Sequence, residues 1–173
     1  MHRSNRALAL IGFAAAVAGA ACIGARSGPR DPQTRKWYRG LNKPSFHPPD
    51  AVFPVVWTAL YALMAVSGWR VWQRPDSPAR SAALRLWVSQ LLANAEWTRL
   101  FFREHLPGWS LVDLLFLKLA VIRYIFEARK VDNPAAALFV PYAAWLAFAA
   151  LLNAEIVRRN PRAAELQPVP SEV

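Results

Sequence analysis

Five stretches of about 18 to 23 residues, each dominated by apolar side chains, constrain this chain more than any other feature. A helix rises about 1.5 Å per residue, so twenty residues span about 30 Å, the thickness of a bilayer's hydrocarbon core. Residues 7–25 carry no charge, are rich in alanine and follow Arg3 and Arg6. Residues 51–72 hold one charge, Arg70, close enough to the end to snorkel. Residues 82–102 contain Arg85, Glu96 and Arg99, and residues 109–127 contain Asp113, Lys118 and Arg123. Residues 135–157 are free of charge until Glu155, and Arg158 and Arg159 mark the exit. Soluble amphipathic helices carry a polar stripe every 3.6 residues, which the first, second and fifth stretches lack. A cleaved signal peptide would account for the first stretch alone, but four comparable ones follow. The expectation is an all-α, multi-pass integral membrane protein: a five-transmembrane-helix bundle in one domain over residues 1–160, with a disordered tail at 161–173.

Composition removes several alternatives. Hydrophobic residues make up 55% and charged residues 18%, which excludes intrinsic disorder. The net charge of +10 is scattered rather than gathered in one block, so no nucleic-acid partner is expected. One cysteine, Cys22, leaves no intramolecular disulfide, and three histidines offer no zinc-ligand spacing. No acid–base pair or nucleophile–base spacing points to ordinary catalysis, so no catalytic or metal residue is assigned and no obligatory cofactor is expected. Basic residues near the two faces divide almost evenly, leaving orientation open under the positive-inside rule. No internal repeat argues for an inverted-repeat transporter.

The connections between stretches are short except the first. Residues 26–50 hold prolines at 29, 32, 44, 48 and 49 together with Trp37, Tyr38, Leu41 and Phe46. A solvated linker has no reason to carry that apolar surface, so a long loop folded as a cap over a cavity is expected.

The run Trp37-Tyr38-Arg39-Gly40-Leu41-Asn42-Lys43-Pro44-Ser45-Phe46-His47-Pro48-Pro49, followed by Val52-Phe53-Pro54-Val55-Val56-Trp57-Thr58, is highly specific. With Asn94-Ala95-Glu96-Trp97-Thr98-Arg99-Leu100-Phe101-Phe102, and Val140-Pro141-Tyr142 followed by Trp145 and Leu152-Asn153, it resembles the TspO/translocator protein family of tryptophan-rich sensory proteins. The resemblance implies a five-helix bundle of bacterial type in the cell membrane, often a homodimer in contact with lipid. It implies a ligand cavity near the first loop that takes tetrapyrroles such as protoporphyrin or haem, or another hydrophobic small molecule. By motif position the cavity is roofed by Trp37, Tyr38 and Pro48 and walled by Trp57, Asn94, Trp97 and Trp145. Trp57 and Trp145 match tryptophans implicated in porphyrin chemistry in bacterial relatives. A porphyrin is a flat apolar disc with two propionates, so aromatic faces suit its ring, and Arg39 or Lys43 suits its carboxylates. The resemblance leaves sensing, transport and light-dependent porphyrin breakdown as alternatives.

Each of these residues also has a plainer use. Tryptophans near helix ends, including Trp37, Trp69, Trp72, Trp87 and Trp109, form interfacial belts without any ligand. Asn94 serves equally as an interhelical hydrogen-bonding group. His47 reads as a solvated loop residue, and Cys22 as packing.

The chain departs from the family pattern at Glu96, Arg99, Arg103 and Lys118, which stand where relatives carry apolar residues, proline or glycine. Charges at such depth tend to be paired or to line water. Glu96 and Arg99 can pair at i, i+3. Lys118 needs Asp113, Glu96 or Glu155 from across the bundle, and a more polar cavity or helix seam is expected. The absence of a tyrosine in the last turns before Arg158 argues against sterol as the main ligand.

Overall fold

The computed structural model describes residues 3–29 and 32–161. Every regular element in them is helical: α1 Arg3–Ser27, α2 Pro32–Gly40, α3 Val52–Trp72, α4 Pro78–Thr98, a π-helical turn Arg99–Arg103, α5 Pro107–Arg129, α6 Asn133–Ala137 and α7 Val140–Arg159. Three runs are long and apolar enough to cross a membrane: Asn5–Ser27, Val52–Trp72 and Asn133–Arg159. Helices α4 and α5 match them in length but carry more charge. The tail expected to be disordered lies, from residue 162 onward, outside the described residues.

Local chemistry sets the helix starts. Proline opens α4, α5 and α7, where its missing N–H costs no hydrogen bond. Ser77 caps α4 by accepting from the Arg80 N–H at 3.1 Å, and Asp132 caps α6 by accepting from the Ala135 N–H at 2.7 Å. The stretch expected to be a loop contains α2, a helix of 9 residues opened by Pro32. The end of α4 loosens into the π turn, where the Glu104 N–H reaches Arg99 O and the Leu106 N–H reaches Leu100 O. His105 then takes a left-handed conformation (φ 55°) and ends the helix.

Helix α5 packs between α4 and α7, while α1 lies against α3 and α4. At the end of the bundle where α3 finishes, polar groups are consumed internally. Ser67 donates to Ala135 O at 2.7 Å and lies 2.6 Å from the Tyr124 hydroxyl, which therefore donates to it. Trp87, expected in an interfacial belt, is buried and donates to Met64 O at 2.9 Å. Gly68 lets it in, since a Cβ there would stand 2.6 Å from Trp87 Nε1. Arg70 from α3 and Arg74 from the turn after it both grip the carboxylate of Asp132, whose side chain is fully buried. Burial opposes charge on Asp132, but Arg74, the Ala135 N–H and Arg70 outweigh it and hold the carboxyl below its ordinary range.

Candidate functional site

At the other end of the bundle the helices do not close on one another. The C-terminal half of α1, the first turns of α3, the end of α4 and the helix α2 enclose a cavity of about 730 Å³. Small residues make the room: Ala21, Gly24 and Ala25 share one face of α1, and Gly28 follows just past its end. Gly24 meets Thr98 so closely that an added Cβ would lie 3.3 Å from its Oγ1. Helix α3 supplies a stripe at i, i+4, i+8 of Phe53, Trp57 and Tyr61. Helix α4 supplies Asn94, Trp97 and Thr98, the π turn adds Phe102, and Arg35, Tyr38, Arg39 and Asp50 stand at the α2 end.

The floor is polar but neutral. The Tyr61 hydroxyl donates to Asn94 Oδ1 at 3.3 Å, and Asn94 Nδ2 reaches the buried Tyr142 hydroxyl at 3.0 Å. Trp57 leans on Tyr61, with ring centroids 5.3 Å apart, and meets Tyr142 edge-on at 6.0 Å. The opposite wall is a stack, with Trp97 nearly parallel to Phe101 at 5.4 Å and Phe102 perpendicular to Trp97. Asn94 therefore joins three helices and also lines the cavity.

The cap is fastened by specific contacts. Tyr38 Oη lies 2.8 Å from His47 Nε2, the His47 ring packs against Phe53, and Lys43 Nζ sits 3.8 Å above the Tyr38 ring. Burial, reinforced by Asp50, raises the pKa of the Tyr38 hydroxyl and keeps it protonated. Burial, then the Lys43 charge, lowers that of His47, so a neutral imidazole accepts the phenol's proton donation. Burial likewise lowers that of Lys43. Farther along, the Asn42 N–H donates to Asn160 Oδ1 at 2.9 Å and Asn160 Nδ2 returns to Asn42 O at 3.1 Å. The cap is thereby pinned to the end of α7. His47 is thus a fastener of the cap, which corrects its reading as a solvated loop residue.

Four of the seven expected site residues, Tyr38, Trp57, Asn94 and Trp97, line the cavity. Trp37 turns away: it stacks on His105 at 4.2 Å and meets Phe101 edge-on at 5.7 Å. Arg35, Tyr38 and Arg39, at i, i+3 and i+4, share the face of α2 that meets the cavity, and Trp37 at i+2 lies off that face. Pro48 is half-buried outside the lining. Trp145 stands one ring behind the wall, 5.8 Å from Phe53 and 5.3 Å from Phe148. The residues missed include Phe53, Tyr61, Thr98, Phe102, Arg35, Asp50 and the small face of α1. Tyr61 was findable, because it lies one helical turn beyond Trp57.

The extra charges do not make the cavity polar. Glu96 and Arg99 pair at 2.6 Å and Arg99 also reaches Glu104 at 2.9 Å, but these side chains are 39–44% exposed on the outer surface. Glu155 pairs with Arg158 and Arg159. Lys118 is half-buried and makes no ion pair among the described residues. The expected partner across the bundle is therefore not there, and the seam is joined by neutral groups such as Asn153 with Ser110 at 3.0 Å.

Comparison with known proteins places this geometry in context. The sequence model of the TspO/MBR family matches residues 11–159. The chain is 39% identical over 127 residues to the human translocator protein, covering 72% of this chain and 75% of that one. It is 38% identical over 125 residues to the tryptophan-rich sensory protein of Cereibacter sphaeroides, covering 72% and 77%. With the protein CrtK of Rhodobacter capsulatus it shares 35% identity over 150 residues, 86% of this chain and 92% of the other.

Proposed function

The chain belongs to the TspO/MBR family of membrane sensory and translocator proteins, and from that premise we propose that it binds a tetrapyrrole in the cavity beneath α2. The single observation that carries this reading is the composition of the cavity wall. Tyr38, Phe53, Trp57, Tyr61, Trp97 and Phe102 present aromatic rings around about 730 Å³, within the range of about 300–1,000 Å³ usual for small-molecule sites. Flat conjugated guests gain from such rings both apolar burial and ring-on-ring contact. The neutral floor of Tyr61 and Asn94 offers hydrogen-bonding groups without a charge to desolvate.

In this reading α1, α3, α4, α5 and α7 all cross a bacterial cell membrane. Helices α4 and α5, at 21 and 23 residues, reach about 30–35 Å. The outer face of α5, with Leu115, Phe116, Leu119 and Phe126 exposed, meets lipid or a second copy in a homodimer.

The test is quenching of tryptophan fluorescence by protoporphyrin IX in detergent, in the dark, with the unaltered protein beside Trp57→Phe and Trp145→Phe. Saturable quenching at micromolar concentration is expected. Trp57→Phe weakens it and Trp145→Phe changes it little, since Trp145 lies behind Phe53. Unsaturable or mutation-blind quenching overturns the reading. A second reading, light-dependent breakdown of the bound porphyrin, draws on Trp57 as an oxidisable ring in the wall in contact with Tyr61 and Tyr142. Illumination of the same samples separates it from binding alone, because only breakdown yields product that depends on light and on Trp57.

A further inference from the structure

The cavity is built from two chemistries, and they are segregated. Along α3 the lining runs from Asp50, just ahead of the helix, through Phe53 and Trp57 to Tyr61. Eight residues of helix from Phe53 to Tyr61 give a depth of about 12 Å. Among the described residues, every ionisable group in the lining other than the phenols, namely Arg35, Arg39 and Asp50, stands at the α2 end. The floor at Tyr61 and Asn94 carries none. A guest that fills this space has an apolar body directed inward and its ionic groups directed toward α2.

The sign of those ionic groups follows from what the three residues already do. Arg35 Nε donates to Pro29 O at 3.5 Å and is engaged with its own surroundings. Asp50 immediately precedes Ala51, the cap position of α3, where a negative charge is favoured by the helix N-terminus. Lys43, another cation of the cap, has its ammonium on the Tyr38 ring and is not part of the lining. Arg39 sits one residue beyond Tyr38, lines the cavity, is exposed, and makes no hydrogen bond or ion pair among the described residues. A guanidinium is a planar fork of donors that matches a carboxylate in a way an ammonium does not.

Building on the tetrapyrrole reading, we infer that Arg39 is the specificity-determining residue of the cavity, and that its ligand is an amphiphile whose carboxylate pairs with Arg39 while its aromatic body enters between Trp57 and Trp97. With two arginines and one aspartate among the described residues at the mouth, the site takes an acid and discriminates against the same body without one. Asp50 limits the gain by repelling the same carboxylate.

Two probes that differ only in charge decide it: protoporphyrin IX and its dimethyl ester, titrated in the dark against the full chain in detergent. The unaltered protein binds the diacid more tightly than the ester. Arg39→Gln weakens the diacid about tenfold, the scale of one charge-assisted pair, and leaves the ester within twofold. Asp50→Asn moves the diacid the other way, tightening it severalfold. Lys43→Gln, which disturbs the cap but not the pairing, shifts both probes equally. If Arg39→Gln moves diacid and ester alike, or neither, the Arg39 assignment is overturned while the tetrapyrrole reading stands. If neither probe binds the unaltered protein saturably, the tetrapyrrole reading fails and takes this assignment with it.

Discussion

The two ends of this bundle spend the same residue types in opposite ways. At the end where α3 finishes, tyrosine, tryptophan, serine and arginine are turned on one another: Tyr124 to Ser67, Trp87 to Met64 O, and Arg70 and Arg74 to Asp132. At the end where α3 begins, tyrosine, tryptophan and arginine line an open space, and the small residues of α1 keep it open. Identity of side chain does not separate a packed end from a binding end. What separates them is whether the rings and cations meet other groups of the protein or face an open space.

That contrast breaks most visibly at Asp132. Asp132→Ala strands two guanidinium groups and uncaps α6, so it is expected to lower stability in detergent by about 2–3 kcal/mol. This is below the cost of breaking a fully buried pair, because Arg70 and Arg74 still reach solvent. Thermal unfolding followed by circular dichroism measures it. Probe binding at temperatures where the variant is folded should be unchanged. A loss of binding without a loss of stability would mean that the two ends are not independent.

A smaller effect is expected at the cap, and it depends on pH. His47 has its pKa lowered in the folded protein, so the neutral ring is favoured there more than in a free imidazole, whose pKa is near 6.5. Its contribution is fully present above about pH 6.5 and is lost as pH falls through the lower folded value. A protonated ring no longer accepts from Tyr38, and it faces Lys43 with a like charge. Asp50, which favours the charged form, limits the loss. Stopped-flow release of a bound porphyrin should therefore quicken severalfold between pH 7.5 and 5.5, and His47→Gln should flatten that dependence. A pH-independent release in the unaltered protein would remove His47 from the cap.

The smallest effect belongs to the outer surface. Glu96→Gln removes an exposed pair and should change stability by less than about 0.5 kcal/mol, with no change in porphyrin affinity. A measurable loss of binding would return the charge on α4 to the cavity.

The long helices were legible because their signal is additive: twenty apolar residues outweigh a stray Arg85 or Asp113. The 9-residue α2 was not, since it is too short to show a period and its prolines and charges read as loop. At the site, motif position put Tyr38 in the roof and Trp57, Asn94 and Trp97 in the walls, and all four line the cavity. It could not say which of two adjacent aromatics looks inward, so Trp37 was assigned with Tyr38. Nor could it see that Phe53 screens Trp145. The Glu96–Arg99 pairing followed from spacing alone, whereas its outward direction required the packing of α4 against its neighbours.

The paired amides of Asn42 and Asn160 also bear on the order of assembly. They join positions separated by 118 residues in the chain, so one half of this clasp leaves the ribosome long before the other. Until α7 is in place the capping segment lacks this clasp and relies on contacts with earlier parts of the chain, such as Trp37 with His105 and Phe101. The cover over the vestibule is thus made fast only with the last helix, and an unfinished chain holds its aromatic interior less firmly closed.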